Sequence, residues 1–170
     1  DSLPQECKAD YVLFKRDLEK ENAEAKEQEA VYQNIKKWFP FSDNIYSYLE
    51  LRRRGHQPDA TKMAKEWNDV VEQMSTLKKE LEGTTTLGKD EVEEALRVIT
   101  DLKNSAENVY SFYNGYDPLV TWWMPTIYEE MGKGFDAYSE AFKGKFDKGK
   151  PVDESGIVGN PVGREELMKQ

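Results

Sequence analysis

Histidine and cysteine are nearly missing from this chain of 170 residues: there is one of each, His56 and Cys7. A single cysteine excludes an intrachain disulfide and leaves cysteine usage silent about the redox compartment. A single histidine excludes an H-E-x-x-H helix, and zinc needs three or four nitrogen, sulfur or carboxylate ligands. The chain is therefore expected to hold no metal and no cofactor of its own. Carboxylates abound, with 33 Asp and Glu, but EF-hand spacing is missing. So many carboxylates make accidental pairs common, and no one pair signals acid–base chemistry. Also missing are a G-x-S-x-G elbow, a P-loop and a Rossmann glycine pattern. No apolar run approaches the roughly 20 residues that span a bilayer, so no membrane partner is expected. Basic residues are in deficit, 24 against 33 acidic, for a net charge of -9. That balance argues against a nucleic-acid partner, because phosphate binding depends on Lys and Arg.

One basic cluster stands out, Arg52, Arg53 and Arg54. It reads first as a solvated helix end, where cations suit the helix dipole. An anion contact is the second reading. His56 follows in GHQP, a turn between helices, where it reads as solvated or capping rather than catalytic.

What is present is helical patterning. Charged residues make up 34% of the chain and hydrophobic residues 38%, while 12% aromatics argue against disorder. A chain of this length buries roughly 70% of its unfolded surface, enough for one domain with a core. Asp59–Glu82 carries Ala60, Met63, Ala64, Trp67, Val70, Val71, Met74, Leu77 and Leu81 at threes and fours, a single apolar stripe. Pro58 and Asp59 mark its start and Gly83 its stop. Lys89–Tyr113 repeats the pattern with Val92, Ala95, Leu96, Ile99, Leu102, Ala106, Val109, Tyr110 and Tyr113. The short GTTTLG link predicts an antiparallel hairpin in which the two stripes bury against each other and against further helices. Ala9–Lys37 has a thinner stripe of Tyr11, Phe14, Leu18, Ala25 and Val31, with a charged, solvated middle. WFPFSDN breaks that helix at Pro40 and offers Ser42 or Asp43 as a cap for a short helix, Asn44–Arg54. Ile127, Met131, Phe135, Tyr138 and Phe142 predict a further helix. Gly132 and Gly134 weaken it, and small residues there can admit a neighbouring helix. Phe142–Gly159 reads as loop, and Asn160–Gln170 as a helix start, with Asn160 as cap and Pro161 at its first position. The expected fold is all-α, an antiparallel bundle of about five to six helices over residues 1–170. The unfinished last helix suggests the N-terminal part of a larger helical fold.

The stretch YNGYDPLVTWWMP interrupts this pattern. Asn114-Gly115 is a turn dipeptide, Asp117-Pro118 can cap and start a helical turn, and Pro125 can start the next helix. Trp122 and Trp123 point about 100° apart on a helix, so at least one is expected to be buried in a packed corner. The sharper reading makes Tyr113, Asn114, Tyr116, Asp117, Trp122 and Trp123 a cleft or interdomain surface suited to a peptide substrate.

YNGYDPLVTWWMPTIYEEMGKGFDAY, followed by SGIVGNPVGREELM, resembles the domain-of-unknown-function 885 family of bacterial and fungal proteins, which is similar to zinc-dependent helical metallopeptidases. The family has an FYNGYDPLFTWW-like corner and then a GxPxGREAL-like helix start, in that order. The opening ADYVLFKRDLEKE is similar to its DYxLLKRxLE-like first helix. The resemblance implies that these residues form the helical N-terminal scaffold and cleft wall of a metallopeptidase-like protein. It implies zinc for the parent protein, on an H-E-x-x-x-G-H-like helix that this chain does not reach, and the C-terminal part of the same protein as partner. No catalytic residue carries over. The competing reading is a stand-alone acidic helical module that binds a protein partner. A scaffold leaves apolar surface uncovered around Val162, Leu167 and the tryptophan corner; a complete module buries it or shows one compact patch.

Overall fold

The apolar spacing becomes helix in the computed structural model, which describes residues 4–83 and 87–145. Five α-helices follow in chain order: α1 Gln5–Ile35, α2 Asp43–Arg53, α3 Ala60–Glu82, α4 Lys89–Tyr113 and α5 Pro118–Lys143. A 3-10 turn, Lys36–Trp38, separates α1 from α2, and no strand forms among the described residues. The all-α reading holds. The readings of 146–159 as loop and of Asn160–Gln170 as a helix start, with Val162 and Leu167, lie outside the described residues.

The chain divides into two units, one containing residues 1–33 and the other Asn34–Asp147. In the first, α1 runs four residues further toward the N-terminus than its stripe predicts. Tyr11, Val12, Leu13, Phe14 and Leu18 are all exposed, so its thin stripe is not core. Good helix formers sustain it through its solvated middle, helped by pairs such as Lys15–Glu19 and Lys20–Glu24.

The second unit carries its own core. Asp59 caps α3 by accepting from the Thr61 and Lys62 N–H groups, each at 3.0 Å. The Glu91 carboxylate accepts from the Gly88 N–H at 3.0 Å and steadies the start of α4. Along α3, Ala60, Met63, Ala64, Trp67, Val70, Met74 and Leu81 are buried, as the stripe predicts. Val71 and Leu77 are half-buried.

The two helices of the predicted α3–α4 hairpin do run antiparallel, but their stripes bury chiefly against the further helices rather than against each other. α3 packs most closely on α5, α4 packs on α5 and α2, and α2 touches α3. These contacts close a ring, α3–α5–α4–α2, with α3 and α4 on its diagonal. Lys145, just past α5, donates from Nζ to the Glu82 carbonyl at 2.7 Å, and its own carbonyl accepts from the Leu87 N–H. The C-terminal ends of α3 and α5 therefore meet the start of α4. So α3 and α5 run parallel, and α4 runs against both. A six-residue link fixes which ends meet, but an apolar stripe faces whichever helix fills the core beside it. Here α5, buried along Val120, Met124, Met131, Phe135, Tyr138 and Phe142, supplies that face.

WFPF breaks the helical run before α2, as read, and its rings also enter the core. Trp38, Phe39 and Phe41 are buried. The Phe39 ring stacks on Phe142 at 5.8 Å and meets Tyr138 edge-on at 6.0 Å. The Tyr138 hydroxyl donates to the Trp38 carbonyl at 2.8 Å. Ser42 does not cap α2 with its side chain; its hydroxyl donates to the Phe39 carbonyl instead. The turn is thus a plug of the core rather than a linker.

Candidate functional site

The corner between α4 and α5 is held by a closed set of hydrogen bonds. Gly115 adopts φ 85°, the left-handed conformation that a glycine takes without strain. The Tyr113 carbonyl accepts from the Tyr116 and Asp117 N–H groups at 3.0 and 2.8 Å. Asp117 caps α5, its Oδ1 accepting from Leu119 and Val120 at 2.8 and 3.2 Å, with Pro118 at the first helical position. The Thr121 hydroxyl accepts from the Gly115 N–H at 2.7 Å and donates to the Asp117 carbonyl at 2.8 Å. Few degrees of freedom remain in this turn.

Pro125 does not start a new helix. α5 runs through it from Pro118 to Lys143. An interior proline costs about 3 kcal/mol. Six buried side chains on the inner face, at roughly 1.5–3 kcal/mol each, outweigh that and keep one helix in phase. Pro125 has no N–H to offer, so it makes no i→i−4 bond to the Thr121 carbonyl.

The same phase overturns the expectation of a buried tryptophan. Val120 and Met124, four apart, face the core at 0% exposure. At 100° per residue, positions 122 and 123 must then turn outward. Trp122 is 79% exposed and Trp123 47%. Tyr116 in the turn and Leu119 ahead of the pair are exposed as well. The corner is a presented aromatic surface, not packing.

The six residues singled out in the sequence therefore part company. Tyr116, Trp122 and Trp123 share the exposed side, and Asn114 is an exposed turn residue. Asp117 is spent on its cap. Tyr113 is buried, and its hydroxyl donates to the His56 carbonyl at 2.7 Å, fastening the α2–α3 turn to the end of α4. Burial raises the Tyr113 phenol above its ordinary value, with Asp117 adding to the rise and Arg52 opposing it. His56 thus contributes a backbone carbonyl to this contact, and its side chain is exposed. The exposed Leu119 was missed in the sequence. Phasing Val120, Met124 and Met131 on one helical wheel would have found it.

The three arginines do not converge on an anion site. Arg54 pairs with Glu50 at 2.5 Å. Arg52 donates to the Asn108 carbonyl at 3.3 Å, and its guanidinium lies 5.2 Å from the centre of the exposed Phe112 ring. Arg53 is exposed. The solvated helix-end reading describes them better, with Arg52 bracing α2 against α4.

Among the described residues no group of three or more His, Cys, Asp or Glu side chains is placed to hold a metal ion. An open groove of about 450 Å³ beside α3, lined by Pro40, Asp69, Glu72, Gln73, Thr76 and Leu77, contains none of the candidate site residues. The corner presents Tyr116, Leu119, Trp122 and Trp123 to solvent on a hydrogen-bonded turn.

Comparison with family models, with curated proteins and with solved structures returned no match. The resemblance to the domain-of-unknown-function 885 family rests on the quoted sequence blocks alone.

Proposed function

We propose that the chain is the helical scaffold and cleft wall of a zinc-metallopeptidase-like protein, with no catalytic site of its own. The observation that carries this is the Trp122–Trp123 corner, which stays uncovered although its backbone is tightly held. Trp122, Trp123 and Tyr116 together expose roughly 300–500 Å² of ring surface. The motif blocks around the corner supply the metallopeptidase part of the reading, and with it the zinc, a peptide substrate and a C-terminal partner segment. Native mass spectrometry of material from its source, beside a denatured control, tests this. A second polypeptide and zinc travelling with the chain is the expected result. A lone, metal-free species of 19.7 kDa would overturn it.

One observation favours the second reading, a stand-alone acidic interaction module. The unit Asn34–Asp147 has a core of its own, with the fully buried Trp67, Tyr138, Phe41 and Phe135 among its members. A lone species that binds a protein partner, and loses it on Trp122→Ser, would select this reading.

A further inference from the structure

We propose that the outward face at the start of α5 binds a cationic peptide segment, one carrying Arg or Lys. This rests on the reading of that face as a binding surface and names what it takes. Three features lie along that face, and each suits positive charge. First, Trp122 and Trp123 present ring faces to solvent, and the indole face is the best aromatic partner for a cation. Second, Pro125 has no N–H to give the carbonyl of Thr121, the residue that precedes the two tryptophans. Third, the outward face of α5 continues into carboxylates. Glu129 follows Trp122, and Glu130 follows Trp123, by seven residues, about 10 Å along the axis and on the same side of the helix. Glu129 is bridged to Lys133 at 2.6 Å, with both side chains exposed, a pairing that an arriving guanidinium can exchange at little cost. The chain as a whole carries -9, so long-range steering has the same sign as the local contacts.

The backbone under this face is already fixed by the Asp117 cap and the Thr121 hydroxyl. A peptide landing on it therefore orders little of the protein, which keeps a small contact worthwhile. An extended segment with a cation over the rings and a second cation two helical turns on would satisfy both ends. Arg suits the first position better than Lys, because its planar guanidinium stacks on an indole and is more weakly hydrated.

The test is titration of the full chain with a blocked peptide of alternating Ala and Arg, followed by tryptophan emission. The same peptide with Gln or Glu in place of Arg serves as comparison. The Arg peptide is expected to bind at least about tenfold more tightly than the Gln peptide, with an affinity that falls as salt rises. Trp122→Ala should weaken it at least about fivefold while Trp122→Tyr retains most of the binding, because a tyrosine ring still offers a π face. Glu130→Gln should weaken it about threefold. Glu24→Gln on α1, the same charge change elsewhere, should leave it unchanged. If Trp122→Ala has no effect, or Glu24→Gln weakens binding as much as Glu130→Gln, the attraction is diffuse and the proposal is wrong. If Arg and Gln peptides bind equally and both need Trp122, the face binds peptide but the cation preference is wrong. If no peptide binds, the cleft-wall reading falls with it.

Discussion

The Tyr113 hydroxyl and the His56 carbonyl, 57 positions apart, meet at 2.7 Å. This bond ties the turn before α3 to the last residue of α4, directly beneath the aromatic corner. Tyr113→Phe removes the donor and keeps the ring, so unfolding free energy should fall by about 1 kcal/mol. Denaturant melts measure it. A loss below about 0.3 kcal/mol would mean that water replaces the hydroxyl without penalty.

The tryptophans divide into two classes. Trp122→Ala should change stability by less than about 1 kcal/mol, since its ring is mostly in solvent. Trp67→Ala, at 0% exposure beside Tyr48, should cost about 3–5 kcal/mol. Acrylamide should quench the emission lost in Trp122→Phe and spare the emission lost in Trp67→Phe. The reverse pattern would show that the corner is packed after all.

Two glycines of α5 should respond differently to alanine. A Cβ at Gly132 meets nothing within 4 Å, so Gly132→Ala should stabilise by about 0.5–1 kcal/mol. A Cβ at Gly134 comes 2.8 Å from Cε of the buried Met74, where α3 and α5 approach. The helix gain there is offset by displacing the methionine, and Gly134→Ala should yield no net gain. Thermal melts that rank Gly134→Ala above Gly132→Ala would contradict this close approach.

Alkaline pH should destabilise the second unit. Burial, followed by the hydrogen bond to Glu66, raises the Tyr48 phenol; burial, with Glu80 adding to it, raises Tyr138. A folded-state value above the unfolded value near 10 means that the native state holds these protons more tightly. The stability they confer is complete below about pH 10 and is lost as pH rises toward the folded values. Denaturant midpoints should therefore be level between about pH 7 and 9 as far as these groups are concerned, and fall beyond about pH 10. Replacing both tyrosines with Phe should flatten that fall. An unchanged slope in the double variant would assign it to other groups.

Zinc provides a further check. The purified chain should neither take up zinc one-to-one nor cleave peptides, given a single histidine whose side chain is exposed. Tight stoichiometric uptake abolished by His56→Ala would defeat this, and equilibrium dialysis with metal analysis would reveal it.

Legibility in the sequence followed from how local each feature is. The limits of α4 were readable to the residue, because the Gly88 start, the apolar period and the Asn-Gly stop all lie within the segment. α3 needed only Asp59 and Gly83. The aromatic corner was located correctly but its sense was inverted. Hydrophobicity marks Trp122 and Trp123 as burial candidates, yet which side of α5 faces inward depends on its whole length. Val120 and Met124 belong to the same register as Phe135 and Phe142, and that register turns the tryptophans out. Reading Pro125 as a helix start cut the helix at the point where its phase had to be followed. WFPF does break the helix as read, but its rings also pack on Tyr138 and Phe142, which the local sequence did not show.

The sequence by itself determined the all-α class, where α3 and α4 lie, and most of their core residues. Those outcomes follow from period, caps and composition, which act within a few turns of helix. Only the tertiary structure decided that α3 pairs with α5 rather than α4, that WFPF is core, and that the tryptophans face solvent. Burial is a contest among all apolar surfaces for one interior, and its result depends on partners far away in sequence.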